Sequence, residues 1–201
     1  MSEREAVIKK IQDAFSGGEG PPVNFLQGSF DGCEPYEETS PFKSKSDWRG
    51  IEASFLDAHA SALSFFSEGG FRYFLPAYLI ADLHGQLDTA DPLFHLTHGF
   101  SDASRFVNPR RYGAMTFYDY ARCRLSVFTR EEAGAIVAYL EFKRDFDPDV
   151  FDKPRIDAAL ESFWLERART APPAESLERY LAEQEEYLAR VRSRIEDSTG
   201  E

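Results

Sequence analysis

The sequence predicts an all-α fold: an irregular bundle of about five to seven helices with a long N-terminal loop segment. Three observations predict it. Apolar residues recur every three to four positions through most of the chain, the spacing that gives a helix one buried stripe. Residues that start and stop helices bracket those stretches. Of 201 residues, 42% are hydrophobic and 29% charged, a balance that fills a core and leaves a charged shell.

The elements follow in order. Val7, Ile8, Ile11, Ala14 and Phe15 predict a helix over 3–15, stopped by Ser16-Gly17-Gly18. Residues 17–46 are rich in Gly, Pro and Ser, with turn signals at Gly20-Pro21-Pro22 and Asp31-Gly32. They predict the long irregular segment, pinned by Phe25, Leu26, Phe30, Tyr36 and Phe42. From Asp47 onward, Trp48, Ile51, Phe55, Leu56, His59, Leu63 and Phe66 share one helical stripe. Ser67 then caps a second helix carrying Phe71, Phe74, Leu75, Tyr78, Leu79 and Leu83. Pro76 lies inside it, and its missing donor predicts a kink or break near Leu75. Residues 88–113 read as loop, from Asp91-Pro92, Gly99 and Asn108-Pro109.

Residues 114–128 fit both strand alternation and helical spacing; a short helix is the reading. Thr129-Arg130-Glu131-Glu132 is a capping box that opens a helix from Arg130 to Lys143. Pro154 opens another, running to about Arg169 and broken by Ala171-Pro172-Pro173. The last helix runs from about Glu175 to Ile195. Its Leu177, Leu181, Gln184, Leu188, Val191 and Ile195 form a heptad seam with one polar position. The organisation expected is one helical domain over 1–170. A C-terminal helix over 171–201 then packs on it or self-associates.

Charge and cysteine usage narrow the function. The net charge of −12 argues against general nucleic-acid binding, which needs a basic footprint. No apolar run approaches the roughly 20 residues of a membrane span. The amphipathic N-terminus lacks a secretory apolar stretch. Cys33 and Cys123 show no zinc spacing, so a reducing cytoplasm is the natural compartment. The charge is uneven. Residues 145–201 carry 15 acids against 8 bases, whereas 103–130 carry six arginines against the single acid Asp119.

The stretch Ser64-Phe65-Phe66-Ser67-Glu68-Gly69-Gly70-Phe71-Arg72-Tyr73-Phe74-Leu75-Pro76-Ala77-Tyr78, with Trp48 upstream, resembles a family of bacterial proteins known only as a domain of unknown function. The capped helix from Thr129 through Ala138-Tyr139-Leu140-Glu141-Phe142 is similar to that family's second block. The likeness spans about 34–144. It implies a mostly helical bacterial domain and assigns no chemistry.

Candidate chemistry is sparse. The arginine island, with Arg105, Arg110, Arg111, Arg122 and Arg124 interleaved by Tyr112 and Tyr118, is the best partner surface. Arginine and tyrosine are enriched at binding hot spots. The same arginines also suit a structural role, neutralising the acidic C-terminal helices. Arg72 and Tyr73, on an otherwise apolar helix, are a second contact candidate. His84, His95 and His98, near Asp82, Asp88 and Asp91, form the one ligand-like set. Ser61, Ser64 and Ser67 lack a nucleophile elbow, and Gly17-Gly18-Glu19-Gly20 lacks the lysine of a phosphate loop. The function expected is therefore a non-enzymatic cytoplasmic protein-binding domain without a cofactor. One version masks a basic partner, as immunity or antitoxin proteins do. The alternatives are a metal-dependent hydrolase on the His/Asp set and a structural homodimer through 177–195.

Overall fold

The computed structural model describes residues 2–17, 26–101, 105–107, 115–146, 153–172 and 174–199. Among them the chain is all-helical, with two isolated β-bridges and ten α-helices, more than the five to seven expected because short capped and Pro-opened pieces replace stretches read as loop or as single helices. The chain divides into two compact units: Met1–Gly17 with Asp91–Pro173, and Gly18–Ala90 with Ala174–Glu201.

In the first unit, α1 (Glu3–Ala14) opens on a capping box between Ser2 and Glu5 and buries Ile11. It packs on α8 (Arg130–Phe146), where Phe15 meets Phe128 edge-on at 6.2 Å. The capping box expected at Thr129 and Glu132 is present and buried. Each residue's backbone N–H donates to the other's side chain, at 2.8 and 3.2 Å. α6 (Pro92–Thr97) falls where a loop was expected. Asp91-Pro92 is not a turn here: Asp91 is the N-cap, its Oδ1 accepting from Phe94 N–H at 2.8 Å, and Pro92 takes the first helical position.

α7 (Phe117–Leu125) settles the ambiguous stretch as helix, started by a Thr116–Asp119 capping box. α9 runs continuously through Lys153–Ala159, a π-helical turn at Leu160–Trp164, and Leu165–Thr170. Trp164 Nε1 donates to Leu96 O at 2.9 Å, and Phe163 stacks on Phe100 at 5.3 Å, tying α9 to the end of α6. Arg167 Nη2 donates to the carbonyls of Ser126 and Phe128 beyond the C-terminus of α7.

In the second unit, the expected long loop gives way to α2 (Glu34–Thr39) and a 3₁₀ helix at Ser40–Ser44, each with proline in its first turn. Proline is tolerated there because those amides have no helical acceptor, so a Pro-rich stretch can still be helical. Phe25 lies outside the described residues; Leu26 and Phe42 are buried as expected, and Tyr36 is exposed.

The single stripe expected over 48–66 is instead three short pieces: a 3₁₀ helix at Trp48–Gly50, α3 (Ala53–Ala58) and α4 (Ala62–Phe65). The chain extends at Ile51 and Glu52 (ψ 123° and 139°). His59 ends α3, and its carbonyl accepts from Tyr78 OH at 3.0 Å. Long-range bonds to the backbone outweigh the local periodicity here. α5 (Glu68–Leu83) is capped by Ser67 as expected and runs through Pro76 as one helix, so of the kink or break expected near Leu75 the break does not occur. α10 (Ala174–Thr199) completes this unit. Cys33 and Cys123 are free and exposed.

Candidate functional site

Three segments of the first unit converge on the end of α6. Phe94 and His98 sit one helical turn apart and stack at 4.6 Å. Phe117, first residue of α7, meets His98 edge-on at 5.2 Å. Gly99 permits that approach. Its φ is +95°, which favours glycine, and a Cβ there would lie 2.6 Å from Phe117 O.

Guanidiniums flank these rings. Arg105 lies over Phe117 with 5.5 Å from Cζ to the ring centre, and Arg155, near the start of α9, lies over Phe94 at 5.8 Å. Both also act on His98, whose pKa is lowered by partial burial and by their positive charge. His95, on the same helix, is lowered from 6.5 to about 3 by burial, with Arg124 and His98 adding to it. Both imidazoles are therefore held toward the neutral form inside a positive field.

The other shoulder of α7 carries Tyr118 and Arg122. Arg122 lies over the Tyr118 ring at 5.5 Å and donates from Nη1 to its hydroxyl at 3.3 Å; that hydroxyl donates to Ser162 O on α9 at 3.4 Å. Ala121 and Leu125 are buried between the two shoulders, which is why a nine-residue helix can present basic groups on both.

The structure thus brings Arg105, Tyr118, Arg122 and Arg124 onto one short helix and the segment before it. Arg110, Arg111 and Tyr112 lie outside the described residues. The described ends of that stretch are paired, Val107 N–H to Met115 O at 3.0 Å and Phe117 N–H to Arg105 O at 2.8 Å. Arg72 and Tyr73 belong to the second unit, half-buried on α5. Tyr73 OH donates to Ser46 O at 2.7 Å, tying α5 to the preceding loop. Burial, with the nearby Asp47 carboxylate, pushes its pKa up.

The histidine set does not assemble as a metal site. Among the described residues no group of three or more His, Cys, Asp or Glu side chains is placed to hold an ion. His84 is an exposed C-cap residue of α5 in the second unit. His95 and His98 are not in a loop: they occupy the last turn and the C-cap of α6.

Sequence reasoning missed Arg155, Phe94 and Phe117. The one available signal was the four-residue spacing of Phe94 and His98, which becomes informative once Asp91-Pro92 is read as a helix start.

An open groove of about 830 Å³ lies in the second unit, lined by Arg49, Glu52, Ser54, Asp57, Gln86 and Asp88 among others. Its central acid is committed to structure. Asp57 Oδ1 accepts the backbone N–H groups of Asp88, Thr89 and Ala90 at 3.0, 2.7 and 2.9 Å, and the last two contribute most to lowering its pKa.

Fold and surface together define an all-helical protein whose most distinctive described feature is a face of arginines on aromatic rings, and no helix among the described residues is long and apolar enough to cross a membrane. The chain belongs to the family described as "Family of unknown function (DUF6714)", whose model matches residues 3–168. No curated protein and no solved structure matches it.

Proposed function

We propose that the protein is a non-enzymatic protein-binding domain that receives an acidic segment of its partner on the arginine–aromatic face around α7. The observation that carries this reading is the placement of Arg105 and Arg155 over Phe117 and Phe94, with His98 stacked on one ring and edge-on to the other. Arg105 is exposed over its ring, so its planar guanidinium can meet a carboxylate while the ring supplies apolar contact area. Arginine and phenylalanine are both enriched at the cores of protein interfaces. The masking of a basic partner rests on the net charge alone, which steers association without choosing a surface. The geometry therefore favours the acidic partner.

The test is affinity capture from native lysate of the source cells at low salt, comparing wild type with an Arg105→Glu/Arg122→Glu double variant. Both residues are exposed, so the fold tolerates the change. The expected result is an acidic protein held by wild type, weakened at least about tenfold by the double reversal. It should elute at roughly 0.5 M salt, where charges are screened within a few ångströms. Capture of nothing, or of the same proteins with equal strength by both forms, would overturn the reading. Stronger capture of a basic protein by the double variant would transfer support to the masking version.

A further inference from the structure

α10 leaves a row of large side chains exposed along one side. Leu177 and Leu188 of its heptad seam are buried. On one flank of that seam Tyr180 is 40% and Tyr187 is 60% exposed. Gln184 and Val191 between them are half-buried, and Arg194 is exposed. Positions 180, 184, 187, 191 and 194 step by four and three, so they form one continuous ridge along the helix. Gln184 Nε2 donates to Tyr180 OH at 3.4 Å along that ridge.

The charge of α10 is graded along its axis. Residues 174–187 hold five glutamates against the single Arg179, and 188–199 hold Arg190, Arg192 and Arg194 against Glu196 and Asp197. Two such helices side by side in parallel would set glutamates against glutamates. Run antiparallel, each acidic half faces an arginine half. The ridge is self-complementary in the same sense. Around a two-fold axis at Tyr187, Tyr180 meets Arg194 of the second copy and Gln184 meets Val191 of the second copy.

We propose that α10 pairs antiparallel with α10 of a second copy of this chain, across the ridge from Tyr180 to Arg194 and centred on Tyr187. A two-fold contact of this kind is closed and uses the same patch twice. Exposed tyrosines supply rigid contact area, and Arg194 over Tyr180 of the second copy supplies a cation–π contact. The helix lies beyond residues 3–168 matched by the family model.

The test begins from the full chain with Cys33→Ser and Cys123→Ser, because both native thiols are exposed. Single cysteines are then placed by Tyr187→Cys, Tyr180→Cys and Arg194→Cys, with mild oxidation and non-reducing gels. The expected result is a covalent dimer from Tyr187→Cys alone. Tyr180→Cys should stay monomeric alone and cross-link when mixed with Arg194→Cys. Sedimentation of the wild type over about 1 to 100 µM should show concentration-dependent dimer. Tyr187→Glu should abolish it with the helical circular dichroism unchanged. A wild-type monomer throughout that range would overturn the proposal. So would a dimer that survives Tyr187→Glu, or self-cross-linking of Tyr180→Cys as strong as that of Tyr187→Cys.

Discussion

Phe42 and Phe94 sit at the centres of two aromatic clusters that differ in what surrounds the rings. Phe42 is fully buried. Phe55, Phe66, Phe74 and His59 meet it edge-on at 4.9 to 5.9 Å, and Tyr78 stacks at 6.4 Å. One cation, Lys45, touches the rim of that cluster over Phe55 at 4.2 Å. Phe94 is 38% exposed, and its neighbours are His95, His98 and the guanidinium of Arg155. The first cluster removes apolar area from water in the 26–90 unit, and its value is stability. The second sets its rings beside charged groups at the surface, and in the proposed function its value is recognition. Aromatic content alone does not separate the two roles; the presence of arginine and the residual exposure do.

Removing the central ring from each cluster tests that division most strongly. Phe42→Ala should destabilise the protein by about 3–5 kcal/mol, the usual range for a buried phenylalanine whose cavity cannot collapse. Phe94→Ala should cost about 1 kcal/mol, since much of its ring already faces water, yet it should weaken capture of the acidic partner. Urea denaturation of both variants, with the capture assay beside it, measures the contrast. Equal stability losses would erase the comparison.

A second substitution attacks the geometry that joins the rings and arginines around α7. Gly99→Ala places a Cβ 2.6 Å from Phe117 O at a residue whose φ is +95°. Strain and clash together should cost about 2–3 kcal/mol. Phe117 and Arg105, which are tied by a backbone hydrogen bond, should move away from His98. Thermal melting reads the first effect and partner capture the second. Wild-type behaviour in both would mean that the close approach does not set the site.

What the sequence made legible was local. Ser67, Thr129 and the short helix at 117–125 are readable because their signals act within three or four residues, through caps and spacing. The stripe over 48–66 misled because Tyr78 OH bonds the His59 carbonyl and Gly28 N–H bonds the Phe65 carbonyl, and no local pattern records those bonds. The arginine island was visible as a charge imbalance. Its aromatic floor was not, since Phe94, Phe117 and Arg155 come from three separate helices. His95 and His98 were chosen for ligand spacing. The structure uses that spacing to set two imbalanced neighbours of arginine instead, held toward neutrality.

That neutrality gives the smallest and most specific effect. The folded-state pKa of His95 is about 3, against an ordinary 6.5. Well above pH 6.5 both folded and unfolded forms are unprotonated, so the group contributes no pH dependence there. As pH falls below 6.5 the unfolded chain takes up a proton that the folded chain refuses, so stability falls. The slope from this one group is at most about 1.4 kcal/mol per pH unit. His95→Phe keeps a ring against Phe94 and removes the titration. The expected outcome is that wild type loses more stability than His95→Phe between pH 6.5 and pH 5.5, by about 1 kcal/mol, with the two converging in slope above pH 7. Carboxylates titrate identically in both proteins and cancel in the difference. Parallel stability curves across that range would show that His95 takes up a proton in the folded state, so that neither its burial nor the charge of Arg124 beside it holds the ring neutral.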